Sequence, residues 1–190
     1  MSDTDSFSEL LKPMTLSTTN QSHPFQTRKT AANMTATIEL DDACPDHWTP
    51  DFDFCLRVLA TACQAAALDH DVTVSLRFVD AEESRTLNLR YREKNASTNV
   101  LSFRADLPES LRANLTSEPL GDIVICPVVI EAEAREQLKT MEDHWTHMLV
   151  HGFYHLIGYD HMTESESATM EALEIECLKK LGISNPYLLV

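Results

Sequence analysis

From Val72 to Val79 the chain reads Val-Thr-Val-Ser-Leu-Arg-Phe-Val, which places Val72, Val74, Leu76 and Phe78 on one face of a strand with a period of two. The β-branched content agrees with that period. Upstream, Phe52, Cys55, Leu56, Leu59, Ala60 and Cys63 recur at helical spacing and predict an amphipathic helix across Asp51 to Leu68. Thr35 to Leu40 alternates as a first strand. Asp80 can cap a helix whose third position is Glu83, and Leu87 and Leu89 carry that helix to about Arg92. Two short strands are predicted at Asn99 to Phe103 and Asp122 to Cys126, separated by a long polar connection from Leu107 to Pro119. Pro127 suits the first turn of a helix reaching about Gln137. A longer helix is predicted from about Glu142 to Leu156, stopping at Gly158, where the chain can turn left-handed. The last helix starts at Thr163 or Ser165, carries Met170, Leu173, Ile175, Leu178 and Leu181, and ends before Gly182. Together these elements predict an α+β fold, a single domain with a small mixed sheet of about four strands and about five helices.

Composition adds boundaries to that picture. A chain of 190 residues, 43% hydrophobic and 24% charged, is sized and balanced for one soluble domain. No apolar run reaches 18 residues, so no membrane span is expected. Residues 1–34 are rich in Ser, Thr, Asn, Asp and Gln and sustain no period; a flexible N-terminal tail is expected there, with residues 35–190 as the folded domain. Met34 marks an alternative start of translation. The first thirty residues lack the basic-then-apolar order of a secretory signal, so a cytoplasmic location is expected. The five cysteines form no C-x-x-C pair, and their odd number argues against a disulfide framework; most are expected to be small buried apolar groups.

Charge narrows the candidate chemistry further. The formal net charge of −15 disfavours nonspecific binding to nucleic acid. Its distribution is uneven, because residues 77–104 carry Arg77, Arg85, Arg90, Arg92, Lys94 and Arg104 against four acids, while the flanking stretches are strongly acidic. One basic segment therefore lies inside an acidic protein.

The segment His151-Gly152-Phe153-Tyr154-His155-Leu156-Ile157-Gly158-Tyr159-Asp160-His161 carries the most chemical information. On a helix, residues four apart share a face, so His151 and His155 can turn both imidazoles toward one ion. Gly158 permits a sharp exit and His161 can return a third nitrogen. Three neutral imidazoles suit zinc or another late first-row divalent metal and leave a coordination position open. His144 and His147, on neighbouring turns, are rival ligands. The pattern H-x-x-x-H-x-x-G-x-x-H is similar to the zinc-binding segment of metzincin proteases, but Gly152 stands where those enzymes have their glutamate general base. Peptide hydrolysis by that mechanism is not expected.

The full string from His151 to His161 resembles the signature H-G-x-x-H-L-x-G-Y-D-H of the YbeY family, bacterial metal-dependent endoribonucleases associated with rRNA maturation. Tyr91 to Phe103 resembles that family's Y-R-x-K-x-x-x-T-D/N-V-L-S-F element, and Gly121-Asp122-Ile123 resembles its G-D-I/L strand start. The similarity covers roughly Thr35 to Tyr187. Its implications go residue by residue: His151, His155 and His161 match the family's ligands for one Zn2+ per chain, and Arg92 matches the catalytic arginine that engages the RNA backbone. Activity is expected to be single-strand-specific cleavage in 3′-end maturation of the small-subunit rRNA and in ribosome quality control. The expected partners are single-stranded rRNA, the small ribosomal subunit with its proteins, and a ribosome-assembly GTPase, with no membrane. Asp160 is expected to support the turn or orient a ligand imidazole, and Ser102, Thr98 and Asn99 to shape the cleft floor. Tyr154 is expected to pack the helix. Glu93 departs from the family by standing where Gly is frequent. Two other readings compete with this one. The first is a metal-dependent hydrolase of a non-RNA substrate. The second is a noncatalytic ribosome-assembly adaptor whose structural metal is closed by His144, His147 or a cysteine.

Overall fold

The alternation at Val72–Phe78 becomes the middle strand of a sheet, with Val72, Val74, Leu76 and Phe78 all buried in the core. The computed structural model describes residues 28–29, 35–112 and 114–188. Within them the strands are β1 (Arg28–Lys29), β2 (Thr35–Asp42), β3 (Val72–Phe78), β4 (Val100–Arg104) and β5 (Glu118–Ile125). The helices are α1 (Phe52–Ala65), α2 (Ala81–Arg92), α3 (Glu109–Arg112), α4 (Pro127–Glu136), α5 (Met141–Leu156) and α6 (Glu164–Lys180). The sheet order is β1-β2-β3-β5-β4: β2, β3 and β5 run parallel, and β1 and β4 pair antiparallel at the two edges. Except for Arg28–Lys29, which pair with Ala36 and Thr35, the tail expected over residues 1–34 lies outside the described residues. The α+β class with one mixed sheet is as expected, with the two-residue β1 and the single-turn α3 in addition.

Helix starts follow the side chains that can satisfy free amides. Asp51, Asp80, Thr140 and Thr163 each accept from the backbone N–H three residues on, and Thr163 with Glu166 makes a reciprocal capping box. Glu83 does not return to the Asp80 backbone; it pairs with Arg77 at 2.9 Å. The connection expected from Leu107 to Pro119 is shorter than predicted, because β5 already begins at Glu118. Pro119, expected at the end of the connection, and Gly121 are accommodated where the β3–β5 register shifts between Thr73 and Val74. A Cβ on Gly121, at φ +132°, would lie 2.1 Å from the Phe103 carbonyl oxygen, so only glycine admits this approach of β4.

Helices α1, α5 and α6 pack together over one face of the sheet, and their contact buries Trp145, Phe153, Leu59, Leu149 and Met170. On the other face, Val79, Leu101 and Val124 form a smaller apolar cluster with Leu87 of α2. α5 is the central helix and is buried along most of its length. Among the described residues, no helix is long and apolar enough to cross a membrane.

Candidate metal centre and its cleft

Gly152 sets how closely α5 can lie on the sheet. A Cβ there would meet Ile123 Cγ2 at 2.9 Å and Ser102 Oγ at 3.1 Å, so the position that holds glutamate in the metzincin pattern has no room even for alanine. Ser102 Oγ donates to the Gly152 carbonyl at 3.0 Å and fixes the contact. The rigid helix then presents His151 and His155 one turn apart, with their Nε2 atoms 3.2 Å from each other. The chain leaves α5 through Gly158 at φ +98° and brings His161 back, its ring 5.4 Å from His151 and 5.0 Å from His155 between centroids. One nitrogen from each of the three histidines lies within 4.8 Å of the others.

The outer ring nitrogens decide what the inner ones can do. His155 Nδ1 is 3.0 Å from the Tyr159 carbonyl, which only accepts, so Nδ1 carries the proton and Nε2 keeps a lone pair. His151 Nδ1 likewise donates to Glu174 Oε1 at 2.8 Å, so in the neutral ring Nε2 is the nitrogen with the lone pair. In the neutral form these tautomers turn the two Nε2 lone pairs toward each other across 3.2 Å, an arrangement that a shared cation relieves. A tetrahedral zinc with Zn–N of 2.0–2.1 Å sets its ligand nitrogens about 3.3 Å apart, close to this spacing. Burial, then the neighbouring imidazoles of His151 and His161, push His155 down to about 4, which keeps it neutral and available as a ligand at ordinary pH.

Behind His151 stands a group that sequence reasoning missed. Glu174 of α6 is fully buried and accepts from His151, from His147 Nε2 at 3.0 Å and from the Tyr187 hydroxyl. Burial works to raise this carboxyl, but the hydrogen bonds from His147 and His151 outweigh it and hold it at about 2. A buried carboxylate behind a ligand imidazole fixes the tautomer and raises the ring's basicity. It also supplies a negative charge that a divalent ion beyond His151 would balance. A signal was present in the sequence: Glu174 lies four residues from both Met170 and Leu178, on the apolar face of α6, where an unpaired acid is costly.

The rival histidines are engaged elsewhere. His144 Nε2 faces Glu133 Oε2 at 2.8 Å, and His147 faces Glu174. Neither joins the three-histidine group, and all five cysteines are free and buried away from it. Among the described residues the group therefore has no fourth protein ligand, which leaves a position open. Asp160 supports the turn, its Oδ1 accepting the His161 N–H at 2.8 Å and lying 4.0 Å from His155 Nδ1. Asn99 donates to Glu133 and Thr98 binds Ser84 through its backbone, so of the three residues expected on the cleft floor only Ser102 lines it. Tyr154 is buried and donates to the Leu173 carbonyl at 3.3 Å, a packing role.

His155 and His161 open onto a cleft of about 610 Å³, and Arg92 and Lys94 line it with Arg104. Arg92 is the last residue of α2, and the chain turns there because Glu93 adopts a left-handed conformation at φ +59°. Glycine adopts that conformation without strain, whereas a side chain here is held in it at some cost. The structure thus brings the predicted arginine and two of the three predicted histidines to one cavity wall, with the third histidine against both. The result is a preformed nitrogen cluster beside exposed cations, chemistry suited to holding a divalent metal next to an anionic substrate.

The family model described as Endoribonuclease YbeY matches residues 51–182. A curated protein of that name from Acinetobacter baylyi is 55% identical over 132 residues, covering 69% of this chain and 83% of the relative. Another from Colwellia psychrerythraea is 43% identical over 157 residues, covering 82% of this chain and 99% of the relative. A solution structure of a Thermotoga maritima protein aligns with TM-score 0.48 and 21% identity over 76% of this chain and 91% of its own.

Proposed function

Because the chain belongs to the YbeY endoribonuclease family, we propose that it is a zinc-dependent endoribonuclease cutting single-stranded RNA, with residues 35–190 as its catalytic domain. We place its activity in 3′-end maturation of small-subunit rRNA and in ribosome quality control in the cytoplasm. The observation that carries this reading is the juxtaposition of a three-histidine cluster with Arg92 on one cleft. His151, His155 and His161 would hold one divalent ion, with Glu174 fixing His151 and the Tyr159 carbonyl fixing His155. When bound, zinc supplies an acidified water and positive charge beside a phosphoryl oxygen. Arg92 contributes a planar fork for two oxygens of the scissile phosphate and stabilises charge that grows there. The cleft is of the size that small ligands occupy, which suits a few unpaired nucleotides rather than a duplex. The net charge of −15 opposes capture of free RNA, so ribosomal proteins or an assembly GTPase would deliver the substrate on the small subunit.

The test compares a single-stranded oligoribonucleotide, the same sequence in a duplex, and small subunits with an unprocessed rRNA 3′ end, using zinc-loaded protein. The expected result is cleavage of the single strand and of the subunit rRNA only, abolished in His155→Ala. Arg92→Ala should retain its zinc and lose roughly 100-fold in kcat/KM, the order associated with one lost oxyanion donor. Equal cutting of duplex, or full activity in Arg92→Ala, would overturn the reading. End groups on the products, 2′,3′-cyclic phosphate or 5′-phosphate, identify the attacking oxygen as ribose or water.

A further inference from the structure

Arg104 belongs to neither of the motifs that point to the RNA reading; it follows the Tyr91 to Phe103 element by one residue. The fold nevertheless places it in the same cleft as His155, His161 and Arg92. Its backbone is held at the end of β4, opposite Gly121, where a Cβ on that glycine would come 3.0 Å from Arg104 Cα. Its head lies close to backbone as well. A Cβ on Gly158 would lie 3.0 Å from Arg104 Nη1, so the guanidinium rests against the bare backbone of the turn joining His155 to His161.

Arg104 also stands without an ion pair among the described residues. Among the described residues, Arg77, Arg85, Arg112 and Arg135 each face a carboxylate within 3.3 Å, whereas Arg92, Lys94 and Arg104 face none. The cleft's own acid, Asp160, is engaged by the His161 N–H. Arg104 also borders a second cavity of about 150 Å³, and it is the one residue that lines both. In that second cavity Arg112 and His70 both face Glu118, at 3.3 and 2.8 Å, so that carboxylate is taken by groups other than Arg104. Among the described residues, Arg104 therefore lines both cavities with no carboxylate within 4.0 Å of its guanidinium.

We propose that Arg104 is a second backbone anchor, its guanidinium fork gripping a phosphate of the single strand next to the one that is cut. The proposal rests on the RNA reading of the cleft and deepens it, since the site then grips at least two successive phosphates. A guanidinium resting against the backbone of one turn loses less freedom on binding than a free one, which favours affinity over rate. Arg104 thus acts in substrate binding, and Arg92 in stabilising the reacting phosphate.

The experiment measures cleavage kinetics and the salt dependence of binding for a labelled single-stranded oligoribonucleotide, using zinc-loaded full-length wild type, Arg104→Ala, Arg104→Lys and Arg57→Ala. Arg57 is an exposed arginine of α1 packed over Phe54, outside the cleft, and serves as the control. For Arg104→Ala the expected KM rises about fivefold to tenfold with kcat within about twofold, as for loss of one partly exposed charged contact. Its slope of log affinity against log salt should shrink by about 0.7, one phosphate contact fewer. Arg104→Lys should recover the slope but only part of the KM, because the fork is gone. Zinc content and thermal midpoint should stay at wild-type values in all variants. Wild-type KM and salt slope in Arg104→Ala, or a fall in kcat at unchanged KM, overturns the anchor while leaving the RNA reading intact. A zinc-loaded wild type that neither binds nor cuts RNA overturns that reading, and the anchor with it.

Discussion

Replacing Glu174 by glutamine keeps the shape of a fully buried side chain and removes its charge, so it isolates what the carboxylate does for the metal centre. Three donors converge on it: His151 on Oε1, and His147 and Tyr187 on Oε2. An amide offers one oxygen. If the NH2 faces His151, Nδ1 of that ring must accept and the proton moves to Nε2, where it blocks the ligand position. If the NH2 faces the other side, the Tyr187 hydroxyl can turn to accept, but His147 must move its proton to Nδ1, a buried atom with no partner. Leaving such a donor unpaired costs about 1–3 kcal/mol. Either way His151 also loses the anion that raises its basicity. Outer-shell changes of this kind typically weaken metal binding about 10- to 100-fold, or about 1.4–2.7 kcal/mol. Competition titration of zinc against a chelating dye at fixed pH reads this directly, with circular dichroism confirming the fold. Glu133→Gln is the matched control, since Glu133 faces His144 and Asn99 and touches no ligand; its zinc affinity should equal wild type. A folded Glu174→Gln protein with zinc affinity within twofold of wild type would refute the reasoning.

Gly152→Ala should cost about 1–3 kcal/mol of stability in denaturant unfolding, because the added Cβ falls 2.9 Å from Ile123 Cγ2 in a packed interface; an unchanged midpoint would contradict the close approach of α5. Glu93→Gly should stabilise the protein by about 1 kcal/mol, read as a raised thermal midpoint, because it relieves a left-handed residue at φ +59°. Burial pushes Cys55 and Cys63 up to about 12 and Cys177 up to about 11, so at pH 8 the thiolate fraction of these groups is far below that of a free cysteine. A thiol reagent at pH 8 should therefore titrate five groups in urea and these three only slowly in the folded protein; fast reaction of Cys55 without denaturant would count against the core as described.

The sequence made the scaffold of the site legible because its signals were local. Helical spacing of His151 and His155, a turn at Gly158 and a nearby His161 are all fixed within eleven residues, and the structure places them together. Alternation at Val72 to Phe78, the cap at Asp80 and the helix start at Thr163 were legible for the same reason. What stayed hidden depends on contacts between distant segments. Glu174 reaches His151 only because α6 packs on α5, and Tyr187 joins it from beyond the last helix. Arg104 counted only as one charge among six until Gly158 gave its head a resting place. The start of β5 was masked because Pro119 and Gly121 carry turn chemistry, and only the β3 register explains their presence in a strand. Glu93 read as a departure from a frequent glycine, and only the structure shows the left-handed backbone it must adopt there.

The claim on which the whole account depends is that His151, His155 and His161 hold a metal. Metal content per chain, determined by elemental analysis after purification without a metal-affinity tag and exhaustive dialysis, tests it most directly. The account predicts one zinc per wild-type chain, retained or restored on adding zinc back, and none in a folded His155→Ala variant. Wild type that neither retains nor takes up a first-row metal, or a His155→Ala variant that keeps its full equivalent, would contradict it.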